Sequence, residues 1–170
     1  MSELFQVNDY VMYGSKGVCR IEGIGPLDFG KKGTNYYFLK LLGDKAGTIY
    51  AEVGSDKVKM RKVITRNEAD EIIKQITVIE GLQIQNEKMR EATYRQALES
   101  GDCLRWIELM KGLNKRQQLR DSEGKKQTDM DGRTYAKAEK LLLSELSIAL
   151  GKSLTEVDAY IKERCGVMAS

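Results

Sequence analysis

The feature that most constrains the fold is a change in the spacing of apolar residues near Arg66. Before it, apolar and polar residues alternate, as in the segment Val58–Val63. After it, apolar residues recur every three or four positions, as in residues 72–79. A period of two is typical of strands, and a period near 3.6 is typical of helices. The sequence therefore predicts an α+β protein with two domains, residues 1–65 and residues 66–170.

The segment from Phe5 to Ile24 predicts the first β-hairpin. Apolar and aromatic residues flank a four-residue break, in which Gly14 and Gly17 can adopt φ > 0 without steric cost. Further β-prone segments, separated by turns at residues 28–33 and 43–47, are Thr34–Leu42, Thr48–Val53 and Val58–Val63. Five short strands joined by tight turns predict a small, strongly bent sheet or a partial barrel.

The second half of the chain predicts an all-α domain of about five helices. Helix-capping residues and glycines mark most of the ends. The predicted helices run from Asn67 to Glu80, Asn86 to Ser100, Cys103 to Leu119, Thr134 to Leu150, and Ser153 to Arg164, with a polar loop at residues 120–132. Trp106 lies at core spacing with its neighbours in the third helix and is predicted to be buried.

The residue types present argue against an enzyme. The chain contains no histidine, which is the commonest general base, and its carboxylates and lysines form no recognisable catalytic pattern. Three widely spaced cysteines predict reduced thiols rather than disulfides or a metal site. We therefore expect no cofactor, no metal and no small-molecule substrate.

The apolar segments are too short for a membrane protein. No stretch approaches the roughly 20 apolar residues that a membrane span requires. The amino terminus also lacks a basic region followed by an apolar core, so no secretory signal is visible. A cytoplasmic protein without a membrane partner is the expectation.

The charge distribution gives only a weak indication of nucleic-acid binding. The net charge is +3, and residues 66–170 contain 18 basic and 18 acidic side chains. One local exception is Lys111–Lys126, with six basic residues against Asp121 and Glu123. This segment is either a solvated helix end and loop or part of a surface that contacts phosphates.

Several motifs occur in the order found in the CarD/CdnL family of bacterial transcription regulators. The pattern F-x-V-x-D-x-V-x-Y from Phe5, followed by G-V-x-x-I-x-x-I from Gly17, resembles the opening of that family. The same module occurs in transcription-repair coupling factor. The segment Val58–Ile64 resembles the module's closing strand. In the second half, S-G-D from Ser100 and A-x-A-x-x-x-L-x-x-E-L from Ala136 resemble the family's helical module.

The resemblance implies that the first domain is Tudor-like and binds the β subunit of RNA polymerase. Binding would occur by pairing a sheet edge with a sheet of the partner. The corresponding edge residues are Thr48, Ile49, Tyr50, Ala51 and Glu52, and family members commonly carry proline near Glu52. A proline at Ile49 or Ala51 is predicted to weaken the contact by removing an edge donor.

The resemblance also implies that the helical module faces promoter DNA. The family inserts a tryptophan into the minor groove, and here that position is occupied by Glu87, whose carboxylate would be repelled by phosphates. Arg90 matches a basic position of the family. Further basic residues that could share its face are Arg95, Lys115, Arg116 and Arg133.

Two functions follow from these observations. The first is a CarD-like regulator that binds RNA polymerase and modulates promoter opening, with DNA contact that is either weak or lost. The second is a non-catalytic adapter, in which the Tudor-like module binds another protein, the helices form a scaffold and no DNA is bound. Enrichment on the polymerase β subunit distinguishes the two.

Overall fold

The computed structural model describes residues 5–43 and 47–166. Contacts divide the chain into two compact units, with the boundary between Val63 and Ile64. The first unit is built from strands and the second from helices. The α+β fold class is therefore confirmed.

The first unit is an open, five-stranded antiparallel sheet with the spatial order β4-β3-β2-β1-β5. Its strands are β1 (Tyr10–Tyr13), β2 (Gly17–Gly25), β3 (Tyr36–Leu41), β4 (Gly47–Glu52) and β5 (Met60–Lys62). The β1–β2 turn contains Gly14 and Gly17 at φ values of 53° and 114°, as predicted. The predicted turn at residues 43–47 lies partly outside the described residues. β4 and β5 are the two edges of the sheet.

One face of the sheet carries the main core cluster of this unit. Because side chains alternate along a strand, the buried strand residues of this cluster are odd-numbered, whereas Met12 and Val18 form a buried pair on the opposite face. They include Val11, Cys19, Ile21, Tyr37, Leu39 and Ala51, and Phe5 packs with them. The Phe5 ring meets the Tyr37 ring edge-to-face, with 5.7 Å between centroids. The backbone N–H of Phe5 also donates to the Tyr37 hydroxyl at 3.2 Å, which ties the amino-terminal segment to β3.

Within the described residues, the second unit contains five α-helices. They are α1 (Arg66–Gln75), α2 (Arg90–Glu99), α3 (Cys103–Ser122), α4 (Asp129–Leu150) and α5 (Leu154–Cys165), and a 3₁₀ turn at Glu87–Met89 precedes α2. Asp102 caps α3, and Gly151 ends α4 with a left-handed φ of 64°, as predicted. Ser153 and Glu156 form the predicted capping box of α5.

Two predicted segments of this unit have wrong boundaries at both ends. The first helix is capped by Thr65 rather than Asn67, and it ends at Gln75 instead of Glu80. The chain leaves the helix there because the following segment crosses α3, where the N–H of Leu82 donates to the Glu108 carbonyl at 2.8 Å. Gly81 permits this approach, since a Cβ on it would lie 2.8 Å from the backbone nitrogen of Gly112.

The second segment is the predicted loop at residues 120–132. The structure extends α3 to Ser122 and begins α4 at Asp129, because the Thr128 side chain accepts a hydrogen bond from the N–H of Asp131. The Arg120 guanidinium donates to the Lys126 carbonyl at 2.8 and 3.0 Å, which closes the short connection. Arg120, one of the six basic residues of Lys111–Lys126, therefore makes hydrogen bonds inside the fold.

The core of the helical unit contains Trp106, as predicted. Its side chain is completely buried, and its indole N–H donates to the Leu98 carbonyl at 3.4 Å. Glu145 is also buried. Its carboxylate accepts from the N–H of Ile64 at 3.0 Å and from the Cys103 thiol at 3.1 Å, which joins the start of the unit to α3 and α4. All three cysteines carry thiols rather than disulfides, as predicted.

Candidate functional site

The β4 edge is the longer of the two sheet edges and lacks the lysine, the proline and the short length that often protect an edge against pairing. β5 has three residues, two of them basic, whereas β4 has six and contains neither lysine nor proline. Short length, lysine and proline are the common means by which proteins block an exposed strand edge. β4 is therefore the edge that is suited to pairing with a partner strand.

The register of β3 and β4 shows which backbone groups of the edge point outward. The N–H of Val53 donates to the Asn35 carbonyl, so Asn35 and Val53 form a hydrogen-bonded pair. Bonded and non-bonded pairs alternate in an antiparallel ladder, which makes Ala51 and Ile49 bonded to β3 as well. In the part of the chain that the structure describes, the outward groups belong to Thr48, Tyr50 and Glu52.

This register corrects one expectation about the edge. The N–H groups of Ile49 and Ala51 point into the sheet, and the Ala51 side chain lies in the core. A proline at either position would break the ladder with β3 rather than block a partner. Glu52, by contrast, has an outward N–H.

Three aromatic rings lie beside this edge on the face opposite the core, and we call them the aromatic cluster. Phe38 pairs directly with Tyr50 across the strands, with 5.7 Å between ring centroids, and Phe29 meets Tyr50 at 5.5 Å. Both contacts are edge-to-face, which is a favourable arrangement for aromatic rings. Phe29 is 76% exposed and Tyr50 is 45% exposed. The cluster therefore adds apolar contact area to an open strand edge.

The local structure holds the aromatic cluster in place. The β2–β3 register shifts between Ile21 and Gly23, and a Cβ on Gly23 would lie 3.0 Å from the Phe38 ring. The loop that carries Phe29 is fixed by the N–H of Lys31, which donates to the Tyr36 hydroxyl at 3.1 Å. The Lys31 ammonium also lies 3.4 Å from the Glu52 carboxylate.

Sequence reasoning assigned residues 28–33 to a polar hairpin tip and gave Phe29 no role. The only sequence signal was a large aromatic residue among glycines and lysines, where burial is not expected. Its contact with Tyr50 depends on how the loop folds back over the sheet, which the local sequence does not specify.

The predicted DNA-facing residues divide into two groups. Glu87, Arg90 and Arg116 belong to one connected network with Tyr94 and Asp131, which we call the arginine network. Both Glu87 carboxylate oxygens accept from Arg90, at 2.5 and 2.8 Å, and Arg90 also donates to the Tyr94 hydroxyl at 2.7 Å. The Tyr94 hydroxyl donates to Asp131 at 2.9 Å, and Arg116 donates to the other Asp131 oxygen at 2.7 Å.

The electrostatics of the arginine network are balanced. Two guanidinium groups face two carboxylates, so the formal charge of the group is zero. The hydrogen bonds from Arg90 lower the pKa of Glu87, which keeps that carboxylate ionised. Burial raises the pKa of Tyr94, so its hydroxyl remains a neutral donor. The positive charges of Arg90 and Arg116 are therefore neutralised by carboxylates of the protein itself.

The remaining predicted residues lie outside this network. Arg95, Lys115 and Arg133 are exposed on α2, α3 and α4, and in the described part of the chain none of them forms an ion pair. They retain their charge toward solvent. Within the described residues, these three of the predicted cations therefore lack a carboxylate partner, whereas nucleic acid favours a continuous basic face.

The fold and the open edge define a class of protein, namely one with a small antiparallel interaction domain. A family model described as "CarD-like/TRCF RID domain" matches residues 5–64. The chain therefore carries a CarD-like domain, which forms its sheet unit, and the match ends at the first residue of the helical unit. No curated protein matches the chain.

Domains of this family interact with the β subunit of RNA polymerase, which gives the chain a transcription-related protein-interaction role. Within the described residues, no helix is both long and apolar enough to cross a membrane.

Proposed function

We propose that this protein is a CarD-like transcription regulator that binds the RNA polymerase β subunit through β4 and modulates promoter open-complex formation without catalysis. The observation that carries the proposal is the unprotected β4 edge within a domain of the matched family. A strand of the β subunit would pair with the outward groups of Thr48 and Tyr50 and with the outward N–H of Glu52, since the Glu52 carbonyl already accepts from the Ser55 N–H. Its side chains would then contact the aromatic cluster.

We propose that the contact of this protein with promoter DNA is weak. Arg90 and Arg116 are already hydrogen-bonded to carboxylates, so among the predicted cations only Arg95, Lys115 and Arg133 lack an ion pair within the described residues. A small number of phosphate contacts gives low affinity, and the salt dependence becomes steeper with each added contact. The same observation favours the second candidate, an adapter that binds its partner protein and leaves DNA untouched.

The edge is tested with the full chain and purified core RNA polymerase. Thr48→Pro removes an outward donor without removing a bond to β3, whereas Thr48→Ala shortens the side chain and keeps the donor. Leaving one partner carbonyl unpaired costs about 1–3 kcal/mol, so we expect Thr48→Pro to weaken binding roughly tenfold or more. Thr48→Ala should bind within about twofold of wild type, because a surface side chain seldom contributes more than about 0.5 kcal/mol.

Circular dichroism would establish that both variants fold. Equal binding by Thr48→Pro would reject β4 as the docking edge, and no binding by wild type would reject the proposed function. The regulator and the adapter are then separated by the lifetime of open promoter complexes with and without the protein. A changed lifetime supports the regulator, and an unchanged lifetime with intact polymerase binding supports the adapter.

A further inference from the structure

We propose that Arg90 and Arg116 form an anion site for a phosphate group, and that Glu87 occupies this site as an intramolecular competitor. The inference concerns the helical unit alone and does not depend on binding of polymerase by the sheet. It assigns to Glu87 the role of an autoinhibitory ligand.

The contacts of Glu87 are those that a phosphate would make. One guanidinium edge of Arg90 donates to both carboxylate oxygens, through Nε at 2.8 Å and Nη2 at 2.5 Å. Nη1 of Arg116 lies 3.6 Å from Glu87 Oε1, so the same oxygen faces a second cation. Arginine binds carboxylate and phosphate oxygens with the same two-pronged geometry. A phosphate can therefore replace the carboxylate without rearrangement of the donors.

The burial of the network shows which part is fixed and which part can leave. The Arg90 side chain is only 12% exposed and the Arg116 side chain is 23% exposed, while Asp131 is almost completely buried at 2%. The Glu87 side chain is 70% exposed. Tyr94 and Asp131 thus hold the two arginines from the interior, and Glu87 covers them from solvent.

Displacement of Glu87 would change the local charge. Arg90 and Arg116 would then face only Asp131, which leaves an excess of one positive charge at the surface. Glu87 lies in a 3₁₀ turn of three residues, and its Asn86 cap uses the N–H of Lys88 rather than that of Glu87. The side chain can therefore rotate away without loss of that cap.

The experiment compares Glu87→Gln with Glu91→Gln. Both remove one exposed carboxylate near the start of α2, but in the described part of the chain Glu91 has no ion pair. The probe is a fluorescein-labelled duplex of about 20 base pairs, with binding measured by anisotropy at several salt concentrations. One added phosphate contact should steepen the salt dependence by about 0.9 units of log K per log salt.

We expect Glu87→Gln to raise DNA affinity roughly fivefold at low salt and Glu91→Gln to change it less than about twofold. The gain should disappear in Glu87→Gln/Arg116→Gln, because the second cation of the site is then missing. Equal gains from Glu87→Gln and Glu91→Gln would overturn the proposal, since they would show only a change in net charge. Glu87→Ser serves as a second variant if Glu87→Gln fails to fold.

A second arm identifies the source of the phosphate. Inorganic phosphate is titrated into wild type and Glu87→Gln while the thermal unfolding midpoint is followed, with chloride at matched ionic strength as the control. A midpoint that rises with phosphate only in Glu87→Gln indicates a site for free phosphate. A gain in DNA affinity without that rise indicates a nucleic-acid backbone. The absence of both effects would reject the anion site.

Discussion

The two units of this protein use their polar groups in opposite ways. In the sheet unit, the outward backbone groups of Thr48 and Tyr50 have no partner among the described residues, whereas the Glu52 carbonyl accepts from the Ser55 N–H at 3.2 Å. Phe29 remains largely exposed. In the helical unit, the helices have polar caps, and Arg90 and Arg116 are neutralised by nearby carboxylates. The comparison shows that the sheet unit leaves backbone groups of its β4 edge open, while the helical unit pairs its helix ends and these two arginines internally.

This difference has an energetic basis. Each polar helix cap stabilises a protein by about 0.5–2 kcal/mol, so the helical unit gains stability from satisfied ends. An unpaired strand edge contributes nothing of this kind and favours association with another chain. Mutations in the helical unit should therefore act mainly on stability, and mutations at the β4 edge should act mainly on binding.

The largest effect is expected for Trp106→Ala. Trp106 is completely buried in α3, and truncating a buried tryptophan costs about 3–5 kcal/mol. Urea unfolding followed by circular dichroism measures the loss. Leu119→Ala on the same helix is the control, because Leu119 is 63% exposed and should change stability by less than about 0.5 kcal/mol. Similar values for both variants would contradict a helical unit held together by this core.

Two glycines within helices should respond to alanine with opposite signs. A Cβ on Gly112 would collide with the backbone of Leu82, whereas one on Gly132 would meet only the flexible Gln127 side chain, at 3.2 Å. Gly112→Ala should therefore destabilise the protein by about 1–3 kcal/mol. Gly132→Ala should stabilise it by roughly 0.5–1 kcal/mol through helix propensity. Thermal unfolding of the two variants shows whether each substitution stabilises or destabilises the protein. If both substitutions stabilised it, the contact between Gly112 and Leu82 would not be tight.

Phe29→Ala should separate binding from stability. Phe29 is the most exposed member of the aromatic cluster, and aromatic residues at the centre of interfaces often contribute more than 1 kcal/mol. Polymerase affinity should fall about tenfold, or roughly 1.4 kcal/mol, with stability within about 0.5 kcal/mol of wild type. The matched control is Val78→Ala, which truncates an apolar residue that is 74% exposed in the helical unit. Loss of affinity in both variants would show a non-specific hydrophobic effect.

The smallest effect concerns the Cys19 thiol in the sheet core. Burial raises its pKa from 9.0 to about 11. Because the folded pKa is the higher one, the thiol stabilises the fold below pH 9 and loses that contribution as pH rises toward 11. We expect a loss on the order of 1 kcal/mol between pH 8 and pH 10. Urea unfolding at both pH values measures it, and Cys19→Ala should reduce the pH dependence. An unchanged dependence in that variant would assign the effect to other groups.

The amino-acid sequence by itself determined the features that depend on neighbours along the chain. The period of two before Arg66 and the longer period after it predicted strands and helices, because each period places apolar residues on one face. Gly14, Gly17, Asp102 and Gly151 marked turns and helix ends, since those positions need a φ value or a side-chain acceptor that few residues supply. The burial of Trp106 followed from its spacing within α3.

Tertiary structure alone decided how the exposed groups meet. Phe29 reaches Tyr50 only because the loop folds over the sheet and the β2–β3 register shifts near Gly23. The outward direction of the Thr48 and Glu52 backbone depends on the pairing of β4 with β3. Arg116 was predicted as a DNA contact, but Asp131 and Glu87 neutralise it from other elements of the helical unit. Some of these contacts join residues that are 15 to 29 positions apart in the sequence, and the others lie across paired strands. Local periodicity cannot predict them, because it reports only which residues share a face of one helix or strand.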